Sequence, residues 1–137
     1  MREIKFRGLN NNGKWSYGYF VKSNRNNYGE ISERESAFIV SEWYAYANEP
    51  VIRYFNSCVE VESETVGQFT GLKDKNDKEI YEGDILNCHG CYYNLVRDIG
   101  RAYELHEIGS DKIFFLFKSH EIVEVIGNIH QNPELLK

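Results

Sequence analysis

Two cysteines in this sequence have the C-x-x-C spacing that is typical of metal sites and redox sites. Cys88 and Cys91 have the spacing found in zinc knuckles and in thiol–disulfide oxidoreductases. A structural zinc ion takes four ligands, and the further candidates, Cys58, His106 and His120, are not paired at ligand spacing. A redox pair usually opens a helix, whose dipole lowers the thiol pKa, whereas this pair follows a β pattern. We expect ordinary thiols at a strand end, with no metal and no cofactor; metal or redox use is the alternative.

Glu82 and Asp84 are the second candidate, a pair of carboxylates suited to acid–base chemistry. Residues two apart on a strand share a face, so the two side chains would point the same way. The four histidines are scattered along the chain, and no nucleophile-elbow, zincin, phosphate-loop or dinucleotide motif occurs. The sequence therefore predicts a protein that is not an enzyme. The alternative is an enzyme in which Glu82, Asp84 and a histidine line one pocket.

A basic, aromatic segment at the N-terminus is the third candidate. Residues 1–29 carry six Lys or Arg against Glu3 alone, a net charge of about +5 by formal counting. Lys14, Trp15 and Arg25 are predicted nucleic-acid contacts, because aromatic rings stack on bases and cations meet phosphates. Against this, the alternating Trp15, Tyr17 and Tyr19 are interpreted as one side of the core. The overall charge of -5 also weakens binding driven by counterion release.

A cluster of aromatic residues in the acidic middle of the chain is the fourth candidate. Residues 30–67 carry eight Glu against two Arg. Trp43, Tyr44 and Tyr46 fall in this segment outside any clear alternation, and Trp and Tyr are the residues that dominate interface energetics. We therefore predict an interface at these three positions, with a protein partner or a second copy of the chain. Single-stranded nucleic acid is the alternative partner.

The N-terminal elements follow from alternation and turn chemistry. Residues 2–7 alternate, with Ile4 and Phe6 on the face expected to be buried. The Asn-rich turn at 10–13 ends in Gly, and these residues tolerate the positive φ of tight hairpins. Residues 15–22 alternate again, so the sequence predicts an N-terminal antiparallel hairpin.

The remaining elements are also predicted to be mainly β. Residues 23–35 are polar and interpreted as loop, 42–49 as helical or extended, and 51–61 as one or two strands. One short helix is expected near 63–70, with Ser63 as its cap. A turn at 109–111 leads into KIFFLF at 112–117, and such a continuous apolar run is typical of a strand buried on both faces. A further strand is expected at 122–129.

Length and composition set the class. The chain has 137 residues with 15% aromatics, which indicates one folded domain over 1–137, with a less regular middle at 23–57. No apolar run approaches the ~18 residues of a membrane span, and the start MREIKFRG lacks the apolar core of a secretory signal. Three cysteines without a signal favour a reducing compartment, so we expect a cytoplasmic protein with no membrane contact.

Several sequence blocks, in this order, resemble the YopX family of phage and prophage proteins. They are REIKFRG (2–8), WSYGY (15–19), ETVGQFTGLKDKN (64–76), KEIYEGDIL (78–86) and EVIGNIHQNPEL (124–135). The resemblance implies a phage or prophage origin in a bacterial host and a mainly β fold, and it implies no mechanism. Asp77 stands where the family usually has Gly, and residues 23–57 match no family pattern.

The block EGDIL at 82–86 is similar to the start of a strand in small SH3-like barrels. Gly83 is expected to adopt a conformation closed to other residues, and Asp84 to accept hydrogen bonds from nearby backbone N–H groups. The fold prediction is therefore mainly β and antiparallel, with an SH3-like or small-barrel region. The predicted function is a non-catalytic binding protein.

Overall fold

The computed structural model describes residues 3–25, 31–41, 43–45, 53–55, 58–98, 102–116 and 122–137. These residues form two compact units, Ile4–Gly67 and Gln68–Lys137, the second including Met1–Glu3. The described part of the chain is mainly β and antiparallel, which confirms the predicted fold class, and it contains no closed barrel and no helix of seven or more residues. Within that part, no helix is long and apolar enough to cross a membrane.

The first unit is built from six strands. They are β1 (Phe6–Leu9), β2 (Trp15–Arg25), β3 (Ile31–Val40), β4 (Trp43–Ala45), β5 (Arg53–Phe55) and β6 (Cys58–Val61). Within the unit the order β6-β3-β2-β1 is antiparallel throughout, and β4 pairs with β5 separately. Phe6, Phe20, Ile39 and Val61 belong to the apolar cluster on one face of these strands.

The N-terminal hairpin is confirmed. β1 pairs with β2 from Phe6 opposite Gly18 to Leu9 opposite Trp15. The side-chain oxygen of Asn10 accepts hydrogen bonds from the N–H groups of Asn12 and Lys14, both at 3.0 Å. This turn fixes the register, since the hydrogen bonds leave one geometry for the connection.

Two predictions in this unit were wrong. Ile4 is 62% exposed rather than buried, because the strand begins only at Phe6. The predicted loop at 23–35 is in part strand, since β2 continues to Arg25 and β3 begins at Ile31. A polar sequence forms strand here because backbone pairing in the ladder does not require apolar side chains.

The short helix expected near 63–70 is a 3₁₀ turn over Ser63–Thr65, and strand follows it from Gly67. Ser63 does not cap it; Glu62 precedes the turn and makes no side-chain cap bond. Thr65 is instead the anchor, because its hydroxyl accepts from the Leu9 N–H at 2.9 Å and donates to the Glu62 carbonyl at 2.7 Å.

The second unit contains the remaining seven strands. They are β7 (Gly67–Lys73), β8 (Glu79–Tyr81), β9 (Asp84–Cys88), β10 (Cys91–Asp98), β11 (Tyr103–Glu107), β12 (Ile113–Leu116) and β13 (Glu124–Asn128). β7 and β8 form a hairpin, and the other five form an antiparallel sheet in the order β12-β11-β10-β9-β13. Its core contains Ile80, Leu86, Leu95, Leu105 and Val125.

The prediction for the KIFFLF run was wrong. Its strand, β12, is not buried on both faces but lies at the edge of the five-stranded sheet. Ile113 is 53% exposed, Phe114 40% and Phe115 50%. The apolar pattern of a strand reports its side chains only, whereas its place in the sheet depends on which other strands pair with it.

Candidate interaction surface

The predicted aromatic interface lies largely outside the described residues. Trp43 and Tyr44 are in β4, opposite Phe55 and Tyr54 of β5, but their side chains are not among those described, and neither is Tyr46. The interface at these three positions therefore stays a prediction.

The predicted nucleic-acid residues do not come together at one site. Lys14 is exposed beside the hairpin turn, and Trp15 is half-buried at the start of β2. Arg25 ends the same strand, ten residue steps and about 33 Å from Trp15 at the usual rise of an extended chain. A ligand that touched all three would have to run along the whole of β2.

A different set of basic and aromatic residues does gather on the β1–β2 hairpin. The Arg7 guanidinium lies 4.3 Å from the centre of the Trp15 ring, and the Lys5 ammonium 5.8 Å from that of Tyr17. Tyr17 is 44% exposed and Tyr19 48% exposed, so the interpretation of these tyrosines as core was wrong. The unit's apolar cluster lies on the other face, around Phe6 and Phe20 on these strands, which leaves the tyrosines partly in water.

Glu82 and Asp84 both bind backbone N–H groups. Asp84 is buried, and its Oδ2 accepts a hydrogen bond from the Tyr81 N–H at 2.8 Å. Glu82 Oε2 accepts from the Gln68 N–H at 3.1 Å. Gly83 between them has φ +84°, as expected, because an L side chain is strained in this left-handed region. The pair therefore fixes the turn that leads into β9.

The surface of the described residues contains grooves on both units. One of about 390 Å³ is lined by residues of the segment 69–77. The other, of about 450 Å³, is acidic and is lined in part by Glu35, Glu60, Glu62 and Glu64. Neither groove is lined by Glu82, Asp84 or a histidine, the group that an acid–base site would need.

The C-x-x-C spacing is explained by a hairpin turn. Cys88 ends β9 and Cys91 begins β10 directly opposite it. His89 and Gly90 have φ of +51° and +86°, and positive φ at both central residues defines the type I′ turn that two-residue hairpins prefer. All three cysteines are free thiols. No group of three His, Cys, Asp or Glu able to hold a metal occurs in the described part of the chain.

Asp74 was not predicted as a key residue, but its side chain closes one edge of the five-stranded sheet. Its Oδ2 accepts a hydrogen bond from the Val125 N–H of β13 at 2.9 Å. Its Oδ1 accepts from the N–H groups of Asn76 at 2.8 Å and Lys78 at 3.0 Å. The turn residues at 74–78 were a visible signal, since Asp often binds backbone N–H groups two residues on.

The same loop adds two further contacts to β13. The Lys75 N–H donates to the Val123 carbonyl at 3.0 Å, just before the strand. The Lys75 ammonium lies 2.6 Å from Glu124 Oε2, and this pairing lowers the pKa of Glu124. The outer side of β13 is thus occupied by the chain's own loop.

β12, at the opposite edge of the sheet, has no such cover among the described residues. The Glu107 N–H donates to the Lys112 carbonyl at 3.1 Å, so Lys112 directs its backbone toward β11. Backbone groups alternate in direction along an antiparallel strand. The backbone N–H and C=O groups of Phe114 therefore also point toward β11, whereas those of Ile113 and Phe115 point outward, away from the sheet.

The side chains of β12 are anchored on one side only. Phe114 packs edge-on against Tyr93, with ring centres 5.3 Å apart. On the other face, Ile113 and Phe115 lie opposite His106 and Glu104 of β11. Exposed apolar side chains beside backbone groups that have no partner among the described residues are the features of a strand that accepts another strand.

The described elements define a class: a mainly β protein of antiparallel sheets, in which the five-stranded sheet has a covered edge at β13 and, among the described residues, an uncovered edge at β12. The family model of the YopX protein matches residues 5–137, and the chain belongs to this family, which confirms the resemblance. The crystal structure of protein EF1440 from Enterococcus faecalis is similar in fold, with 24% identity over 100% of both chains and a TM-score of 0.53. No curated protein matches the chain.

Asp77, the departure from the usual family sequence, also has a structural explanation. Its φ is +66°, in the left-handed region that Gly enters without strain and that Asp and Asn tolerate better than most residues. Its carboxylate pairs with Lys73 at 3.0 Å on the surface. Asp is therefore an acceptable replacement at a position that favours Gly.

Asp84 is expected to stabilise the fold through the Tyr81 N–H. Asp84→Ala leaves that buried donor without its acceptor, so we expect the free energy of unfolding to fall by about 1–3 kcal/mol. Asp84→Asn keeps an acceptor oxygen and should lose less. Urea denaturation measures both. Equal stability of Asp84→Ala and the wild type would contradict the structural role and favour the acid–base alternative.

Asp74 is expected to make stability depend on pH. Burial raises the pKa of Asp74, but the hydrogen bonds from Val125, Lys78 and Asn76 outweigh it and hold the pKa below its ordinary value. The stabilisation is thus complete above the ordinary pKa of about 3.9 and is lost as the pH falls through the lower, folded-state pKa.

In Asp74→Asn, we expect a lower free energy of unfolding at pH 7, by about 1–3 kcal/mol for a lost acceptor, and a shallower fall between pH 7 and 3 than in the wild type. Urea denaturation at both pH values tests this. Asp77→Asn, on the same loop but exposed, is the control and should keep the wild-type slope. A wild-type slope in Asp74→Asn would refute the assignment.

Proposed function

We propose that this protein is a non-catalytic binding protein that works through protein–protein contacts, with β12 as its binding edge. The observation that carries the proposal is the combination of three exposed apolar side chains with outward backbone groups on one edge strand. Addition of a partner strand would pair those backbone groups and cover the side chains. The backbone bonds made by Glu82 and Asp84 support the non-catalytic part of the proposal.

The family resemblance supports the setting. We place the protein in the cytoplasm of a bacterial host, encoded by a phage or prophage. Its free thiols are compatible with a reducing compartment.

Phe115→Lys tests the proposal because it puts a charge on the binding edge without touching the core side of the strand. Binding at this edge should weaken at least about tenfold with Phe115→Lys, whether it is measured as capture of a host protein from a bacterial lysate or as association of the chain with itself. Ile122→Lys is the control, since Ile122 is equally exposed at 50% but lies outside β12. Capture of the same proteins by Phe115→Lys would contradict the proposal.

Amide hydrogen exchange then tests the binding mode with a captured protein after purification. The Ile113 and Phe115 amides point outward and should become protected in the complex, while the Phe114 amide already faces β11 and should change little. Protection elsewhere, with no change at Ile113 and Phe115, would show that the contact does not involve strand addition at β12.

Single-stranded nucleic acid is the second candidate ligand, favoured by the exposed Tyr17 and Tyr19 beside Lys5 and the Arg7–Trp15 pair. Base stacking on an aromatic ring contributes about 1–3 kcal/mol, so Tyr17→Ala or Tyr19→Ala should weaken oligonucleotide binding by about 5- to 150-fold.

Fluorescence anisotropy with short single-stranded DNA and RNA at several salt concentrations measures this binding. Affinity should fall as salt rises, since phosphate contacts release counterions. Tyr92→Ala is the control, because Tyr92 is exposed to the same degree as Tyr17 on the other unit. Absence of binding at low salt, or equal affinity in all variants, rules this candidate out.

A further inference from the structure

We propose that the partner strand at β12 is β12 of a second copy of this chain, paired antiparallel about a two-fold axis at Phe114. The inference rests on the binding edge assigned under the proposed function and names its occupant. The two five-stranded sheets would then continue into each other across the axis.

The direction of the backbone groups selects this register. Ile113 and Phe115 direct their N–H and C=O groups outward, as the Glu107–Lys112 hydrogen bond and the β11–β12 register require. When Ile113 lies opposite Phe115 of the second copy, the two residues exchange both of their hydrogen bonds. Symmetry repeats the pair, and Phe114 meets Phe114 of the second copy as a non-hydrogen-bonded pair.

The side chains are self-complementary in the same register. On one face, Ile113 packs beside Phe115 of the second copy, and the symmetric pair lies next to it. On the other face, the two Phe114 rings meet, each already held by its own Tyr93. Each of the three exposed apolar side chains of β12 thus gains an apolar neighbour, and aromatic and β-branched cross-strand pairs stabilise sheets.

Charge also favours the antiparallel arrangement. No charged residue lies within Ile113–Leu116. Lys112 falls opposite Leu116 of the second copy, so the two Lys112 side chains lie at opposite ends of the paired segment. Like charges directly opposite each other destabilise a sheet. Glu107 lies 3.8 Å from the Lys112 ammonium and compensates its charge within one copy.

The covered edge at β13 prevents the five-stranded sheet from adding further copies at its other end. The Asp74 carboxylate accepts the hydrogen bond of the Val125 N–H, and the Lys75 N–H donates to the Val123 carbonyl. A second strand cannot pair there without displacing this loop. One open edge used in an isologous contact gives a closed dimer, whereas two open edges on each sheet would permit a filament.

Phe114→Cys in a chain whose Cys58, Cys88 and Cys91 are changed to Ser tests the register. Non-hydrogen-bonded pairs have Cα atoms about 4.5 Å apart, within the range of a disulfide. We expect a covalent dimer on mild oxidation. Ile113→Cys in the same background is the control, because equivalent residues are then diagonal neighbours about 7–8 Å apart. Equal cross-linking of both variants would overturn the register.

A mixture of Ile113→Cys and Phe115→Cys chains provides a second test if Phe114→Cys folds poorly, since these residues lie opposite each other and should form a mixed disulfide. Light scattering of the unmodified protein should give twice the chain mass of 16.1 kDa, and Phe115→Lys should return it to the monomer. A wild-type monomer would overturn the proposal.

The outcomes separate this inference from the proposed function. A monomeric wild type whose Ile113 and Phe115 amides are protected by another protein refutes self-pairing and leaves the proposed function intact. A monomer in which no protein protects those amides refutes both. A dimer in which these amides exchange freely, or a dimer that persists in Phe115→Lys, refutes self-pairing through β12.

Discussion

The hydrogen-bonding needs of its two edge strands are the main constraint on the five-stranded sheet of the second unit. An open sheet ends in two edge strands, whose outward N–H and C=O groups have no partner within the sheet. An edge strand that is covered by other parts of the chain cannot pair further, whereas an uncovered one can accept a strand from another chain. At β13 the partner is internal, because Asp74 accepts the Val125 hydrogen bond at 2.9 Å. At β12 the outward N–H and C=O groups belong to Ile113 and Phe115, whose side chains are about half exposed. Within the part of the chain that the structure describes, the five-stranded sheet therefore has one edge covered by its own loop and one edge, β12, without a partner strand.

Three residues in the family's central sequence block have structural roles in this chain. Asp74 and Asp84, ten residues apart, each use a carboxylate to satisfy backbone N–H groups at the ends of strands. Gly83 supplies the positive φ between β8 and β9. The turns at these positions need these three residues, which gives this part of the sequence block a structural explanation. Carboxylates such as Glu82 and Asp84 can serve in acid–base chemistry, but they can equally accept hydrogen bonds from backbone N–H groups, as both do here.

The parts of the fold that were predictable depend on local physics. The N-terminal hairpin, the left-handed Gly83 and the backbone bond to Asp84 follow from alternation and turn chemistry within a few residues. The KIFFLF strand was misassigned, since its apolar side chains said nothing about its position in the sheet. The short helix predicted near 63–70 forms only as a 3₁₀ turn over Ser63–Thr65 for a related reason: strand pairing extends β7 back to Gly67, and this tertiary context outweighs a capping pattern that contributes only about 1 kcal/mol.

Residue types and spacing alone determined that this chain is mainly β, that it belongs with the YopX sequences, and that its C-x-x-C pair follows a strand. Only the tertiary structure decided which edge of the second unit's sheet is closed, that Tyr17 and Tyr19 lie partly in water, and that the cysteines flank a hairpin turn. The physical reason is the range of the interactions. Alternation and turn preferences act within a few residues, whereas the Asp74–Val125 hydrogen bond that closes β13 joins positions 51 residues apart.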